Sequence, residues 1–199
     1  MNEKFLQYVD FIVKLDEMKN IYRKNINVCN GKNENDAEHS WHMATIAILL
    51  KDYTCLGDFD VNKAVQMCLV HDLVEIYAGD TFCWDEQAGL TKTDREKESA
   101  DKLFALLPEG EGLNLRLLWE EFEQCKTKES LYANAMDRIQ PFILNSKTNG
   151  HTWQLAHPTY TKVKKRASIA YDILPFAREY IDKHIEDAVK KGWIIDDRT

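Results

Sequence analysis

The chain has 199 residues, 44% of them apolar and 30% charged, with a formal net charge of −7 and an isoelectric point near 5.4. That length suits one domain, read here as residues 1–199, with a core large enough to need no disulfide or metal staple. The acidic balance argues against a nucleic-acid or membrane-surface protein, while a small anionic ligand can still be met by local basic groups or a metal. The five cysteines are odd in number and form no C-x-x-C pair, so neither a disulfide framework nor a cysteine zinc site is suggested. Cys55 and Cys68 sit in apolar stretches, where a reduced buried thiol is expected in a reducing cytoplasm. The opening MNEKFLQYVDFIVKLDE carries early charges and lacks a signal-peptide apolar region, and no apolar run is long enough to span a bilayer.

In chain order, residues 4–19 place Phe5, Tyr8, Val9, Ile12 and Leu15 at steps of three and four, which predicts a helix with these residues inward. Residues 25–35 (NINVCNGKNEN) read as a polar loop. Asp36 is the expected cap of a second helix running to Tyr53, with His39, Met43, Ile46 and Leu50 on one face. A third helix is expected over 61–77 behind Asp60, and residues 79–92 read as irregular. TDRE at 93–96 has the form of a capping box with Thr93 as cap, ahead of a helix burying Ala100, Leu103, Phe104 and Leu107. Pro108, Gly110 and Gly112 end it; further helices follow over 113–125 and 128–145, and over 158–190 with a break near Pro175. No alternating strand pattern of useful length occurs, so the expected fold class is all-α.

Within the third helix, VHDLVEIYAGD (70–80) is unusual. His71 and Asp72 are neighbours about 100° apart on a helix, able to share an ion over the helix edge, and Glu75 lies on their face. Buried ionisable groups are costly unless paired or bound to a metal. His39 shares an inward stripe on the second helix, and Asp137 sits among Ala133, Met136 and Ile139, four residues ahead of the helix-distorting Pro141. Singly, each has a bland reading: His39 as a satisfied core histidine, Asp137 as half of a pair with Arg138, His71-Asp72 as a chance dipeptide. Jointly, two histidines and two aspartates facing inward from three helices suit one divalent ion. Trp41 reads as packing or a pocket wall, His42, three residues from His39, as a conceivable further metal ligand, and KVKKR (162–166) as a solvated face.

The pattern H…HD…D, as His39, His71-Asp72 and Asp137, resembles the signature of the HD-domain superfamily of metal-dependent phosphohydrolases. The words ENDAEHSWHMA (34–44), VHDLVEIYAGDTF (70–82) and ANAMDRIQPFILN (133–145) are similar to its bacterial 5′-deoxynucleotidase-like branch. The resemblance implies an all-α HD-domain helical bundle with a metal site between helices. It implies His39, His71, Asp72 and Asp137 as metal ligands, Glu75 beside the bound water as a catalytic group with Asp72, Arg23 at the phosphate and Asp80 near the sugar. Ala78 stands where some nucleotidases carry a hydroxyl, which leaves selectivity for deoxyribose open.

Mixed imidazole and carboxylate ligands suit Mn, Co, Fe, Ni, Zn or Mg, and an ion so held lowers the pKa of its water. The expected reaction is hydrolysis of nucleoside 5′-monophosphates, ribo- or deoxyribo-, to nucleoside and phosphate by attack of a water on the ion. A nucleotide pyrophosphohydrolase and a non-catalytic nucleotide-binding sensor are the alternatives. The expected partner is a small phosphate ester, with no nucleic acid and no membrane, in the cytoplasm. Ile181, Ile185, Val189 and Trp193 could serve a homodimer or pack on their own bundle.

Overall fold

A computed structural model describes residues 2–198. Asn2 caps α1 (Glu3–Leu15) by accepting from the backbone N–H of Lys4 and Phe5, and a 3₁₀ turn (Asp16–Asn20) follows. The helix over 4–19 is therefore an α-helix that tightens at its end. Its inward face is Phe11, with Tyr8 and Leu15 partly buried; Phe5, Val9 and Ile12 are exposed, contrary to the periodic expectation.

The stretch read as a loop over 25–35 belongs to a small antiparallel hairpin of β1 (Tyr22–Ile26) and β2 (Asn33–Asn35). Its turn carries Gly31 at φ +70°, a conformation glycine adopts without penalty. The hairpin leaves the fold predominantly helical and brings Arg23 over the mouth of the bundle. Asn35, not Asp36, caps α2 (Asp36–Leu50), in a capping box with Glu38. Asp36 is thereby freed to turn inward.

The helix expected over 61–77 is interrupted. α3 (Val61–Val70), capped by Asp60, gives way to a turn over 71–74, and α4 (Glu75–Ala78) follows. Two hydrophobic clusters explain the break. Cys68 lies fully buried in the larger one, while Val70, Leu73 and Val74 lie in the smaller one. Burying an aliphatic side chain stabilises by about 1.5–3 kcal/mol. The chain therefore gains more by turning these residues into the second cluster than by continuing one helix. His71 and Asp72 sit on the turn at the seam.

After a short helix α5 (Glu86–Gly89), α6 (Lys92–Phe104) begins one residue before Thr93, so the TDRE box does not form; Glu96 pairs instead with Lys92 at 3.3 Å. α7 (Glu109–Gln124) starts at Pro108 and takes both glycines into its first turn. Gly112 packs so closely on the Phe104 carbonyl that a Cβ there would lie 2.3 Å from it. α8 (Lys128–Lys147) passes through the centre, tied to α2 by the Tyr132 hydroxyl donating to the Ala47 carbonyl at 2.8 Å. Pro141 is accommodated without ending this helix.

α9 (His151–Ala156), α10 (Tyr160–Ile173) and α11 (Arg178–Lys190) complete the chain, with Pro175 in the break. Ile181 and Ile185 are fully buried in the larger cluster, so they pack on their own bundle. Of the two cysteines expected to be buried, Cys68 is and Cys55 is exposed. Among the described residues no helix is long and apolar enough to cross a membrane.

Candidate metal centre

The seven residues singled out in the sequence converge at the seam. His39 from α2 is fully buried, and His71, Asp72, Glu75 and Asp137 are nearly so. Donor atoms of His39, His71 and Asp72 lie within 4.8 Å of one another. Asp137 Oδ1 approaches from α8, 3.2 Å from His39 Nε2 and 3.9 Å from His71 Nε2.

Hydrogen bonding fixes both imidazoles. His39 Nδ1 lies 2.9 Å from Gln140 Oε1, an acceptor, so Nδ1 carries the proton. His71 Nδ1 lies 3.0 Å from the Cys68 carbonyl, which fixes it the same way. Each ring then turns its Nε2 to the site. The Nε2 atoms face carboxylate oxygens: Asp137 Oδ1 at 3.2 Å for His39, and Asp72 Oδ1 at 3.1 Å for His71. At that distance each contact is bridged by a proton on the ring or by a cation between the two atoms.

The charge balance points the same way. Glu34, Asp36 and Glu75 are buried, and each has one carboxylate oxygen without a partner. Burial pushes Glu34 up to about 7, although Arg23 opposes it. Burial and the neighbouring Asp72 push Asp36 up to about 7 as well. Burial, with Asp72 and Asp36 nearby, raises Glu75 well above the usual carboxylate range, and burial raises Asp80. Asp72 and Asp137 go the other way. Burial opposes their ionisation, but His71 and Arg23 outweigh it for Asp72, as Arg138 and His39 do for Asp137. Among the histidines, burial holds His39 below its ordinary range, whereas burial at His71 is outweighed by Asp72 and its pKa rises. Asp36, Glu75 and Asp80 also form a second group whose donor atoms lie within 4.8 Å of one another, able to hold a cation.

Arg23 is the main counter-charge to this acidic wall. Its Nη1 donates to Asp72 Oδ2 at 2.8 Å and to Asp36 Oδ1 at 3.4 Å, and lies 3.8 Å from Asp80. Asp80 is aimed by Gly79, whose φ of +73° strains any side chain, and by Arg95, which donates to the Thr81 hydroxyl at 2.7 Å. A cavity of about 330 Å³ lies between these groups and continues past Lys92, Arg138 and Arg166.

Sequence reasoning missed Gln140, Glu34 and the inward role of Arg166, while Arg138 does pair with Asp137 as the bland reading had it. Gln140 follows Asp137 by three residues on one helix, so helical spacing marks it. Its Nε2 also donates to Glu34 Oε1 at 2.6 Å and to His42 Nδ1 at 3.1 Å, which gives His42 a role in support of His39. Arg166 closes the KVKKR run read as a solvated face; it instead lines the cavity, three residues from buried Val163.

This predominantly helical fold is shared with known proteins. The sequence profile of the HD domain matches residues 15–175, and the chain belongs to that family. A crystal structure of a predicted metal-dependent phosphohydrolase from Magnetospirillum magnetotacticum superposes with a TM-score of 0.88 at 36% identity, covering 96% of this chain and 95% of that one. An HD-domain phosphohydrolase from Listeria innocua shares the fold, with a TM-score of 0.61 at 19% identity, over 93% of this chain and 95% of that one. The 5′-deoxynucleotidase HDDC2 of Bos taurus is 30% identical over 116 residues, 58% of this chain and 55% of that protein. The chain thus matches little more than half the length of this relative.

Proposed function

We propose that the protein is a metal-dependent phosphohydrolase that converts nucleoside 5′-monophosphates to nucleoside and phosphate. The observation that carries the reading is the convergence of the two imidazole Nε2 atoms on the carboxylate oxygens of Asp137 and Asp72, at 3.2 and 3.1 Å. His39, His71, Asp72 and Asp137 would hold one divalent ion, and the orphaned carboxylate oxygens beside them fit a cationic group. When bound, the ion supplies a water of lowered pKa and withdraws charge from the phosphoryl group. The relatives named phosphohydrolase and 5′-deoxynucleotidase support the reaction class and the nucleotide substrate.

The chain's own groups divide the remaining work. Glu75, with its unpartnered Oε2 in the cavity, orients the attacking water and takes its proton. Arg23 turns from Asp72 to the phosphoryl oxygens, where a guanidinium meets developing negative charge. Asp80 at the same wall meets the sugar. In the overall reaction the P–O bond to the leaving oxygen breaks. Water supplies the oxygen retained by phosphate and the proton that ends on the leaving group. The larger hydrophobic cluster runs from Met43 to Ile194, which supports reading the chain as a single domain whose C-terminal helices belong to the catalytic unit.

The test is phosphate release from a panel of ribo- and deoxyribonucleoside monophosphates, with and without Mn or Co, for the wild type and Asp72→Asn. Release that requires metal and is lost in the variant is expected. Metal binding without release from any monophosphate would overturn the monophosphate reading and turn the search to longer phosphates, and then to a nucleotide sensor.

A further inference from the structure

The acidic seam has a basic counterpart. A narrow cleft leads off the cavity between Arg23, Lys24, Arg138 and Arg166 on the cationic side, with Asp80 as its lone carboxylate. Past Arg138 and Arg166 it widens into a second cavity of about 800 Å³, where Lys162 and Lys165 add to the same pair. The carboxylate there, Glu86, is already paired with Lys162 at 2.5 Å. In a chain of net charge −7, this concentration of cations beside the proposed centre needs an explanation, because Lys24, Lys165 and Arg166 have no ion-pair partner among the described residues.

Arg166 is the sharpest case. Its side chain is partly buried on α10, yet among the described residues it has neither an ion pair nor a side-chain hydrogen bond. Burial, and then the nearby Arg138, hold its pKa below the ordinary arginine range. Two guanidiniums turned toward one cavity repel each other, and an anion bound between them would relieve that repulsion. Arg138 has one acidic partner, Asp137, which the proposed ion would engage. The walls around the pair are aromatic and apolar, from Phe82, Trp84, Phe142 and Trp153.

We infer that Arg138 and Arg166 form a second anion subsite, which takes a phosphate carried by the leaving group of the substrate, with the aromatic walls beside it receiving the base. This rests on the phosphohydrolase reading and extends its substrate from a monophosphate to a nucleotide with two phosphates, one hydrolysed at the seam and one held by the arginine pair. A planar guanidinium fork matches phosphate bidentately, and a fork held by packing loses little freedom on binding. The second phosphate can sit on the sugar's far side or follow the first in a chain.

The experiment is titration calorimetry on Mn-loaded Glu75→Gln protein, in which turnover is slowed, with and without Arg166→Gln. The probes are 2′-deoxyadenosine 5′-monophosphate, 2′-deoxyadenosine 3′,5′-bisphosphate and 2′-deoxyadenosine 5′-diphosphate. At least one doubly phosphorylated probe is expected to bind tighter than the monophosphate by about tenfold or more, the scale of a hydrogen bond to a charged group. Arg166→Gln is expected to remove that advantage and Arg166→Lys to retain part of it. The probe that gains places the second phosphate. Equal affinity for all three probes, or an advantage that survives Arg166→Gln, overturns the subsite. Phosphate release by the wild type is followed in parallel. No release with the binding preference intact would defeat the hydrolase reading alone.

Discussion

Replacing Gln140 by leucine tests how the site is built. The Gln140 side chain is fully buried and makes three contacts: it accepts from His39 Nδ1 at 2.9 Å, donates to Glu34 at 2.6 Å and donates to His42 at 3.1 Å. Leucine fills a similar volume but leaves His39 Nδ1–H and the Glu34 carboxylate without partners in the core. An orphaned buried polar group costs about 1–3 kcal/mol, so two cost about 2–6 kcal/mol, with the half-buried His42 adding less. A domain of ordinary stability, about 5–15 kcal/mol, survives that loss in most of its range. Losing the outer hydrogen bond also frees the His39 ring and its tautomer, and such losses weaken metal binding by about 10–100-fold. Urea unfolding measures the first effect, and titration of metal-stripped protein with Mn measures the second. Gln140→Glu separates them, because it keeps the acceptor for His39 while setting a carboxyl against Glu34. It should lose stability as pH rises yet retain more Mn affinity than the leucine variant. A leucine variant that is destabilised but binds Mn with wild-type affinity would refute the tautomer argument.

Glu75→Gln should lower phosphate release by about 10²–10⁴-fold, the usual worth of a positioned acid or base, while Mn binding persists; loss of Mn binding along with activity would make Glu75 a ligand instead. Metal-stripped protein should melt at lower temperature as pH rises from about 4 to about 7. Glu34 and Asp36 have folded pKa values raised to about 7, above their unfolded values, so the stability they contribute is complete below the unfolded pKa and is lost as pH passes through the folded one. The lowered Asp72 and Asp137 act only below about pH 4, and His39 and His71 shift in opposite senses. Saturating Mn should flatten the profile, and a melting temperature that rises over that range without metal would contradict the burial of both carboxyls. Gly112→Ala should destabilise by about 1–3 kcal/mol by chemical denaturation, because the added Cβ meets backbone that cannot rotate away; an unchanged midpoint would show that α6 and α7 are free to separate.

Much of the site was legible because its donors lie on apolar stripes. His39 shares a face with Met43 and Ile46, and Asp137 with Ala133 and Met136, so helical spacing alone turns both inward. The helix break at residues 71–74 was not legible, since an unbroken apolar run does not say that its two ends enter different clusters. The hairpin was missed because β1, YRKNI, carries no apolar alternation; its register comes from pairing with NEN and from Gly31. The inward spacing on α1 misled, because α1 lies against the smaller cluster through Phe11 and leaves Phe5, Val9 and Ile12 in solvent. The basic run was misread for a related reason: KVKKR was judged by composition, whereas Val163 and Ala167 fix which of its cations faces inward.

The two halves of the cavity impose an order on binding. At the seam Glu34, Asp36, Asp72, Glu75, Asp80 and Asp137 surround Arg23, which is held by Asp72 at 2.8 Å and lies within 4 Å of Asp36, Asp80 and Glu34. A phosphate arriving at that wall without a cation meets net negative charge and an arginine already engaged. A divalent ion among the same carboxylates cancels part of their charge and weakens their hold on Arg23, so cation and phosphate each raise the other's affinity by one shared factor. Arg166 beyond needs no such release, because it has no carboxylate to leave, whereas Arg138 is freed as the ion engages Asp137. On the two-phosphate proposal, an anionic substrate is drawn first by the basic cleft and held there by the phosphate it keeps. The phosphate it loses then enters the seam once the metal and Arg23 can receive it.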